Sequence, residues 1–213
     1  MKIITKTEKE ITFEMLQEAA KNHTLKDLLK SGDQIPVTLK SGENVVFTVG
    51  RDKTGKTFFF QEDCLDETRP MNKRNTNTGG WKARDMRKWL NATFFALLPD
   101  ELQAIIVPRK VVQILNGERV ETEDKIFLPS KTQLFGDGPW SEREHEDSQI
   151  DIFKTEKSRV KECGDNGTYW YWTSSPYNGY TYTFCFVSDG GNAINYNANN
   201  SYGVAPGFCI SES

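Results

Sequence analysis

Gly50 to Thr57 spells GRDKTGKT, a literal match to the G-x-x-x-x-G-K-[ST] loop whose backbone amides cradle phosphates. That chemistry needs a buried strand before the loop and a helix N-terminus after it. The preceding NVVFTV is an acceptable strand. The next residues, TFFFQEDCL, are an aromatic run suited to a strand and lack a 3.6-residue stripe. The segment therefore reads as strand, turn, strand, with Gly55 as the turn glycine and Lys56 as a solvent-exposed strand residue, and no nucleotide is expected.

The other reactive residue types form no catalytic pattern. His23 and His145 are the only two histidines, too few for most zinc hydrolase arrangements. Around His145, the residues Glu142, Glu144, Glu146 and Asp147 read as a solvated charge run. Asp63, Asp66 and Glu67 are carboxylates without a second acid at a defined spacing. Cys64, Cys163, Cys185 and Cys209 lack metal-ligand spacing and read as reduced thiols. The sequence thus predicts no catalytic residue, no metal and no cofactor.

Lysine plus arginine number 27 against 30 aspartates and glutamates, a formal charge of −3, which argues against a duplex-DNA or membrane-surface binder. The basic stretch KRNTNTGGWKARDMRK, with Lys73, Arg74, Lys82, Arg84, Arg87 and Lys88, reads as a solvated helix face plus loop. MKIITKTEKEITFEM has no apolar signal region, and no run approaches the roughly 18 apolar residues of a membrane span. The expectation is a protein with no signal peptide, cytoplasmic or assembled into a phage-like particle, with neither nucleic acid nor membrane as partner.

The most informative stretch is the tail. SDGGNAINYNANNSYGVAPGFCI, Ser188 to Ile210, carries no charge after Asp189, in a chain that is 27% charged. From Tyr169 to Tyr202 tyrosine, serine, glycine and asparagine dominate. Tyrosine supplies contact area at low entropic cost and the small polar residues supply adaptable hydrogen bonds, as in antibody paratopes. The same residues also build turns. Turns alone do not need asparagine at 192, 195, 197, 199 and 200.

These segments need a scaffold, and the patterning predicts one. TFEMLQEAAKNHTLKDLL reads as one or two short helices with Thr12 and Thr24 as N-caps. QIPVTLKSGENVVFTVGRDKTGKTFFFQEDCL reads as three strands joined by turns. From Arg84 to Leu98 the apolar Met86, Trp89, Leu90, Phe94, Leu97 and Leu98 predict a helix that Pro99 stops, with DELQAII a second short helix. KVVQILNGERVETEDKIFLPS predicts a hairpin turning at Asn116-Gly117. SQIDIFKTEKSRVKE reads as helical, and from Thr168 onward short aromatic strands alternate with turns. The fold class is α+β, with residues 1–33 an N-terminal helical segment and 34–213 the main domain.

GGWKARDMRKWLN, DKIFLPSKTQLFG, YWYWTSSPY and SDGGNAINYNANNSYGVAPGFCI together resemble a family of bacterial and prophage proteins over roughly Ile35 to Ile210. That family is related to the C-type lectin fold, in the branch shared with formylglycine-generating enzymes and the variable proteins of diversity-generating retroelements. The resemblance implies short twisted antiparallel strands with a few flanking helices, and a ligand-binding face built by the final strands. It implies that Trp81, Trp89, Trp170 and Trp172 are core or core-edge residues, that Gly203 and Pro206 shape the last turn, and that Phe208 and Ile210 lie on the closing central strand.

By the same resemblance, the ligand-binding positions are Tyr177, Asn178, Tyr180, Asn192, Ala193, Asn195, Asn197, Asn199 and Asn200, and the ligand is a protein or a cell-surface glycan, with oligomerisation possible. Strand alternation places 193, 195 and 197 on one face and Ile194 and Tyr196 on the other, which reads as a polar outward row over a buried one. The calcium-lectin triplets Glu-Pro-Asn, Gln-Pro-Asp and Trp-Asn-Asp are absent. The resemblance leaves two alternatives: an oxidoreductase using Cys185 or Cys209, which could be neighbours in the sheet, and a structural component of a prophage particle.

Overall fold

Turn and cap chemistry set the N-terminal half. The computed structural model describes residues 3–4, 10–137 and 147–210. Two short strands, β1 (Ile3–Ile4) and β2 (Glu10–Ile11), pair antiparallel. Thr12 then caps α1 (Phe13–Lys21), its hydroxyl oxygen accepting the Met15 N–H at 3.3 Å. The helix buries Phe13, Leu16, Ala19 and Ala20. Thr24 precedes α2 (Leu25–Leu28) but does not cap it, because its hydroxyl donates to the Ala19 carbonyl at 3.4 Å.

The three predicted strands follow as β3 (Gln34–Thr38), β4 (Asn44–Arg51) and β5 (Thr57–Gln61), an antiparallel meander. The β4–β5 turn explains the phosphate-loop mimic. Gly55 has φ +88°, a conformation that favours glycine, and Asp52 Oδ1 accepts from the N–H groups of Thr54 (2.8 Å) and Lys56 (3.0 Å). Gly50 serves packing: a Cβ there would lie 2.5 Å from Ile150 Cγ2. Lys56 is half-buried just ahead of β5, not the solvent-exposed strand residue the pattern predicts.

After β6 (Arg69–Pro70), one helical run carries α3 (Asp85–Trp89), a π turn (Leu90–Phe94) and α4 (Phe95–Leu97). Its fully buried side chains are Met86, Leu90 and Phe94, with Leu98 just beyond. Steps of four residues overshoot the 3.6-residue α period, and the wider i→i+5 turn brings the stripe back to one face. Trp89 and Leu97 pack at the margin of the core. Arg84, predicted to be solvated, is buried; its guanidinium donates to the Thr76 and Thr78 carbonyls.

Pro99 ends the run, and α5 (Asp100–Ile105) packs on α1. The hairpin β7 (Arg109–Leu115) and β8 (Glu118–Asp124) turns at Asn116 (φ +52°) and Gly117 (φ +84°). At its far end the fully buried Asp124 accepts from Trp81 Nε1 (2.8 Å), Thr122 Oγ1 (2.8 Å) and Arg87 Nε (2.6 Å), tying hairpin to helix. β9 (Ile126–Phe127) leads to α6 (Lys131–Phe135), which begins with a reciprocal Ser130–Gln133 capping box.

The stretch from Ser148 to Glu162 departs from its helical reading. It forms only two short 3-10 turns, Asp151–Phe153 and Lys157–Arg159. Several of its polar groups are taken by distant elements, and one by the stretch itself. The Ile150 N–H donates to Gln133, Arg159 donates to Phe153 and Gly191 carbonyls, and Lys161 Nζ donates to Gln61 (2.6 Å) and Glu62 (2.5 Å) carbonyls.

Five strands complete the chain: β10 (Tyr171–Pro176), β11 (Thr183–Val187), β12 (Ala193–Asn197), β13 (Ser201–Tyr202) and β14 (Gly207–Phe208). β10, β11 and β12 form one antiparallel sheet, and β13 pairs with β6. β14 runs between β5 and β9, giving a five-stranded sheet in the order β3-β4-β5-β14-β9. The result is a mixed α+β fold of short antiparallel sheets and a few helices. Trp81, Trp172, Phe47, Phe59, Phe127 and Phe208 are among its largest fully buried side chains. Among the described residues no helix is long and apolar enough to cross a membrane.

The turn geometry makes a direct prediction, checked by denaturant unfolding and thermal shift. Gly55→Ala is expected to cost about 1 kcal/mol or somewhat more through its left-handed backbone. Lys56→Ala is expected to cost roughly 1 kcal/mol at most, and magnesium-ATP or GTP to leave the melting temperature unchanged. A nucleotide shift that vanishes in Lys56→Ala contradicts the hairpin reading.

Candidate ligand-binding face

The β10–β12 sheet is hung between two adjoining points of the chain. At its base Gly203 N–H donates to the Trp170 carbonyl (2.8 Å) and Trp172 N–H donates to the Gly203 carbonyl (3.1 Å). Residues 170 and 203 therefore enter and leave side by side. Within the sheet, Phe184 faces Tyr196 across the strands and Phe186 faces Ile194, so these four share one side. Trp170, Trp172, Phe186 and Tyr202 build an aromatic cluster there, with ring centroids 5.0–6.1 Å apart.

That cluster stops short of β12. Ile194 is 41% exposed and Tyr196 44%, while Ala193, Asn195 and Asn197 are half-buried. The alternation is as predicted but the burial is reversed: the apolar row, although on the side of the buried Phe184 and Phe186, is the exposed one. The cause is the sheet's width. Tyr196 meets Phe186 (6.4 Å) and Tyr202 (5.8 Å) edge-on and still stays exposed, because β12 is the outermost strand.

The other predicted positions fall around the same hairpin. Tyr177 is half-buried, its ring 5.8 Å from that of Tyr180, which stacks in turn on Tyr182 at 5.5 Å. Asn178 and Asn192 are exposed, and the Asn192 N–H donates to Ser188 Oγ at 3.1 Å. Asn199 is exposed and Asn200 half-buried in the turn after β12, where the Asn200 N–H donates to the Asn197 carbonyl at 3.1 Å. The Ala198 N–H donates to the Tyr182 carbonyl at 2.9 Å, joining this turn to the tyrosine loop.

Asn77 positions that loop. Its side-chain amide donates to the carbonyls of Tyr177 (2.9 Å), Tyr180 (2.7 Å) and Thr183 (3.0 Å), and its backbone N–H donates to the Thr181 carbonyl (2.8 Å). Two amide hydrogens serve three carbonyls, so one is shared. Arg84, stacked 5.5 Å over Phe184, holds the neighbouring Thr76 and Thr78 carbonyls and thereby the loop that carries Asn77. Nothing local in the sequence marks this contact, which spans about a hundred residues. Tyr182, Ile194 and Tyr196 also lie outside the predicted ligand-binding positions.

The remaining chemical candidates are engaged as follows. Asp63 accepts the Glu162 N–H at 2.9 Å and Glu67 pairs with Arg69 at 2.7 Å, while Glu43 accepts the Asp66 N–H at 3.0 Å and its carboxyl pKa is raised by burial and by the neighbouring Asp66 and Glu67 charges. Glu142, Glu144, His145 and Glu146 lie outside the described residues, whereas Asp147 pairs with Arg109.

All four cysteines are free and buried. Cys185 lies in β11 and Cys209 directly after β14, so they belong to different sheets and are not neighbours. An attacking thiolate must be accessible and of lowered pKa; Cys185 and Cys209 are 2% and 1% exposed, and burial pushes Cys209 up to about 11. The thiols that do meet are Cys64 and Cys163, both packed where a Gly203 side chain would start. A hydrogen bond with Cys163 and then burial raise the Cys64 thiol far above its ordinary range.

With this geometry in view, comparison with known families matches residues 54–212 to the model of DUF6273, a domain of unknown function. The chain belongs to the DUF6273 family. No curated protein and no solved structure matches it. The DUF6273 match spans β5 through β14 and so includes both Asn77 and the whole three-stranded sheet.

Two measurements probe this arrangement. Asn77→Ala is expected to cost about 1–3 kcal/mol by unfolding and to raise amide exchange in 177–183 ahead of the rest of the sheet. Uniform exchange changes across the fold contradict a local positioning role. Thiol-reagent labelling of the native protein at pH 8 is expected to be slow at Cys185 and Cys209 and fast only after denaturation. Rapid native labelling of either reinstates a reactive thiol.

Proposed function

We propose that this DUF6273 protein is a non-enzymatic ligand-binding protein whose recognition face is built by residues 177–200, with a protein or a cell-surface glycan as its ligand. One observation carries the reading. Of the five exposed large hydrophobic side chains among the described residues, four, Tyr180, Tyr182, Ile194 and Tyr196, belong to this hairpin and its loop. Surface apolar residues scattered singly are unremarkable, but a group of them rimmed by neutral amides is a common mark of an interaction site. Asn178, Asn192 and Asn199 supply that rim.

The supporting argument is the division of labour. Aromatic rings provide area and stacking, exposed amides provide adaptable hydrogen bonds, and the Asn77 clamp pre-orders the loop so that little entropy remains to be lost on binding. The resemblance to the C-type-lectin-like fold, in which the final strands carry the ligand, points to the same face. So does its branch of retroelement variable proteins, whose diversified positions cluster near the C-terminus.

The test is binding of labelled protein to a glycan panel and to bacterial cell surfaces, comparing the wild-type chain with Tyr180→Ala and Tyr196→Ala. Binding is expected to fall at least about tenfold in each, the order of a lost aromatic anchor. Combined substitution of Asn192, Asn195 and Asn199 is expected to change affinity while leaving circular dichroism and cooperative unfolding largely intact. Wholesale unfolding of that variant contradicts a contact role, and binding that ignores all these changes contradicts the face.

A further inference from the structure

A sheet's edge strand carries a row of unpaired N–H and C=O groups, and proteins blunt such edges with charge, proline, brevity or cover. The sheets here use each device except at β12. β3, an outer strand, has Pro36 at its centre, and the β7–β8 hairpin carries Lys110, Glu118, Arg119, Glu121 and Glu123. β6, β9 and β13 are two residues long, and the outer side of β10 is taken by Gly203. β12 is five residues long, AINYN, with no charge, proline or glycine, and pairs with β11 in unbroken register.

The hydrogen bonds that bracket β12 fix its direction. The Ser188 N–H donates to the Asn192 carbonyl and the Ala198 N–H to the Tyr182 carbonyl, so the even-numbered residues turn their backbone groups to β11. Those of Ala193, Asn195 and Asn197 point away. Among the described residues, the N–H groups of these three and the carbonyls of Ala193 and Asn195 have no partner; the Asn197 carbonyl accepts from Asn200.

We infer that β12 pairs antiparallel with β12 of a second copy of this chain, about a twofold axis through Asn195, joining two three-stranded sheets into one of six. In that register Asn195 forms a hydrogen-bonded pair with its own equivalent and Ala193 pairs with Asn197 of the partner subunit on each side, about six backbone bonds in all. Ile194 then stands opposite Tyr196 of the partner subunit, twice, in the close non-hydrogen-bonded positions where β-branched and aromatic side chains stabilise a sheet. The edge is its own complement. Although each chain carries −3, the segment from Gly190 to Tyr202 carries none of it, so two copies meet there without opposed like charges. An isologous contact also closes at two, which an open chain of strands would not. This dimer sets two recognition faces side by side and shares Ile194 and Tyr196 with them, while its register follows from the β12 backbone whatever ligand those faces take.

Sedimentation of the wild-type chain from about 1 to about 100 µM, the range in which so short a contact titrates, is expected to show a monomer–dimer equilibrium. Asn195→Pro, which removes an outward N–H that the monomer does not use, is expected to weaken it at least about tenfold. The doubly substituted Ile194→Lys/Tyr196→Lys and Ile194→Glu/Tyr196→Glu chains are each expected to be monomeric and to pair when mixed, since each lysine then faces a glutamate. In the wild-type chain, amide exchange at 193, 195 and 197 is expected to slow as concentration rises, a readout that needs no variant to fold. A chain that stays monomeric throughout, a dimer that survives these substitutions, or exchange at these amides that ignores concentration overturns the proposal.

Discussion

The constraint on which the structure depends is the passage of the last strand through its middle. β14 lies between β5 and β9, so the five-stranded sheet cannot close until residues 207–208 are in place. The fit permits no side chain at Gly207, where a Cβ would lie 2.6 Å from Phe60 Cδ1 and 2.8 Å from the Phe59 carbonyl. Phe208, stacked on Phe59 at 5.0 Å and edge-on to Phe47 at 4.9 Å, then fills the centre of the core. Gly203 repeats the device four residues earlier, with Cys64 and Cys163 where its Cβ would be. Small residues let the chain in, and a large one locks it.

This closure also makes the β10–β12 sheet. Because residue 203 returns beside residue 170, everything between them is an excursion whose two ends are hydrogen-bonded together. Such an excursion can present loops and an edge without burdening the core, since its base is fixed by Trp170, Trp172, Phe186 and Tyr202. The exposed tyrosines lie beyond that cluster. Their order comes from Asn77, so the face is held from the side by a loop outside its own sheet.

Much of this is legible in the sequence where the cause is local. Gly55 and Asn116-Gly117 are read correctly because turn backbone selects those residues whatever surrounds them. The stripe 86-90-94 is visible because one helix face meets one core. The features that are not legible depend on partners far along the chain. Alternation in β12 defines two rows but not which row has a neighbour above it, and that is decided by β12 ending the sheet. The segment from Ser148 is held by distant carbonyls, Gln133 through the Ile150 N–H and Gly191 and Gln61 through the Arg159 and Lys161 side chains, contacts that no local pattern announces. Asn77 looks like one more loop asparagine until residues a hundred positions away fold over it.

The absence of charge from the tail has a different origin on its two sides. Toward the core, Val204, Ala205, Phe208 and Ile210 are buried in a passage lined by aromatic rings and thiols, where an unpaired charge would cost several kcal/mol. The charges that are buried elsewhere are held by partners, as Asp124 is by Arg87 and Trp81, and Arg84 by two carbonyls. Toward solvent, the exposed Ile194, Tyr196 and Asn199 face no such penalty, yet stay uncharged where the β7–β8 hairpin is densely charged. Burial explains the neutrality of the last strand but not that of the edge. An edge left flat, amide-lined and apolar on its outer row gives up the usual protection against association, and a surface of that kind is suited to contact.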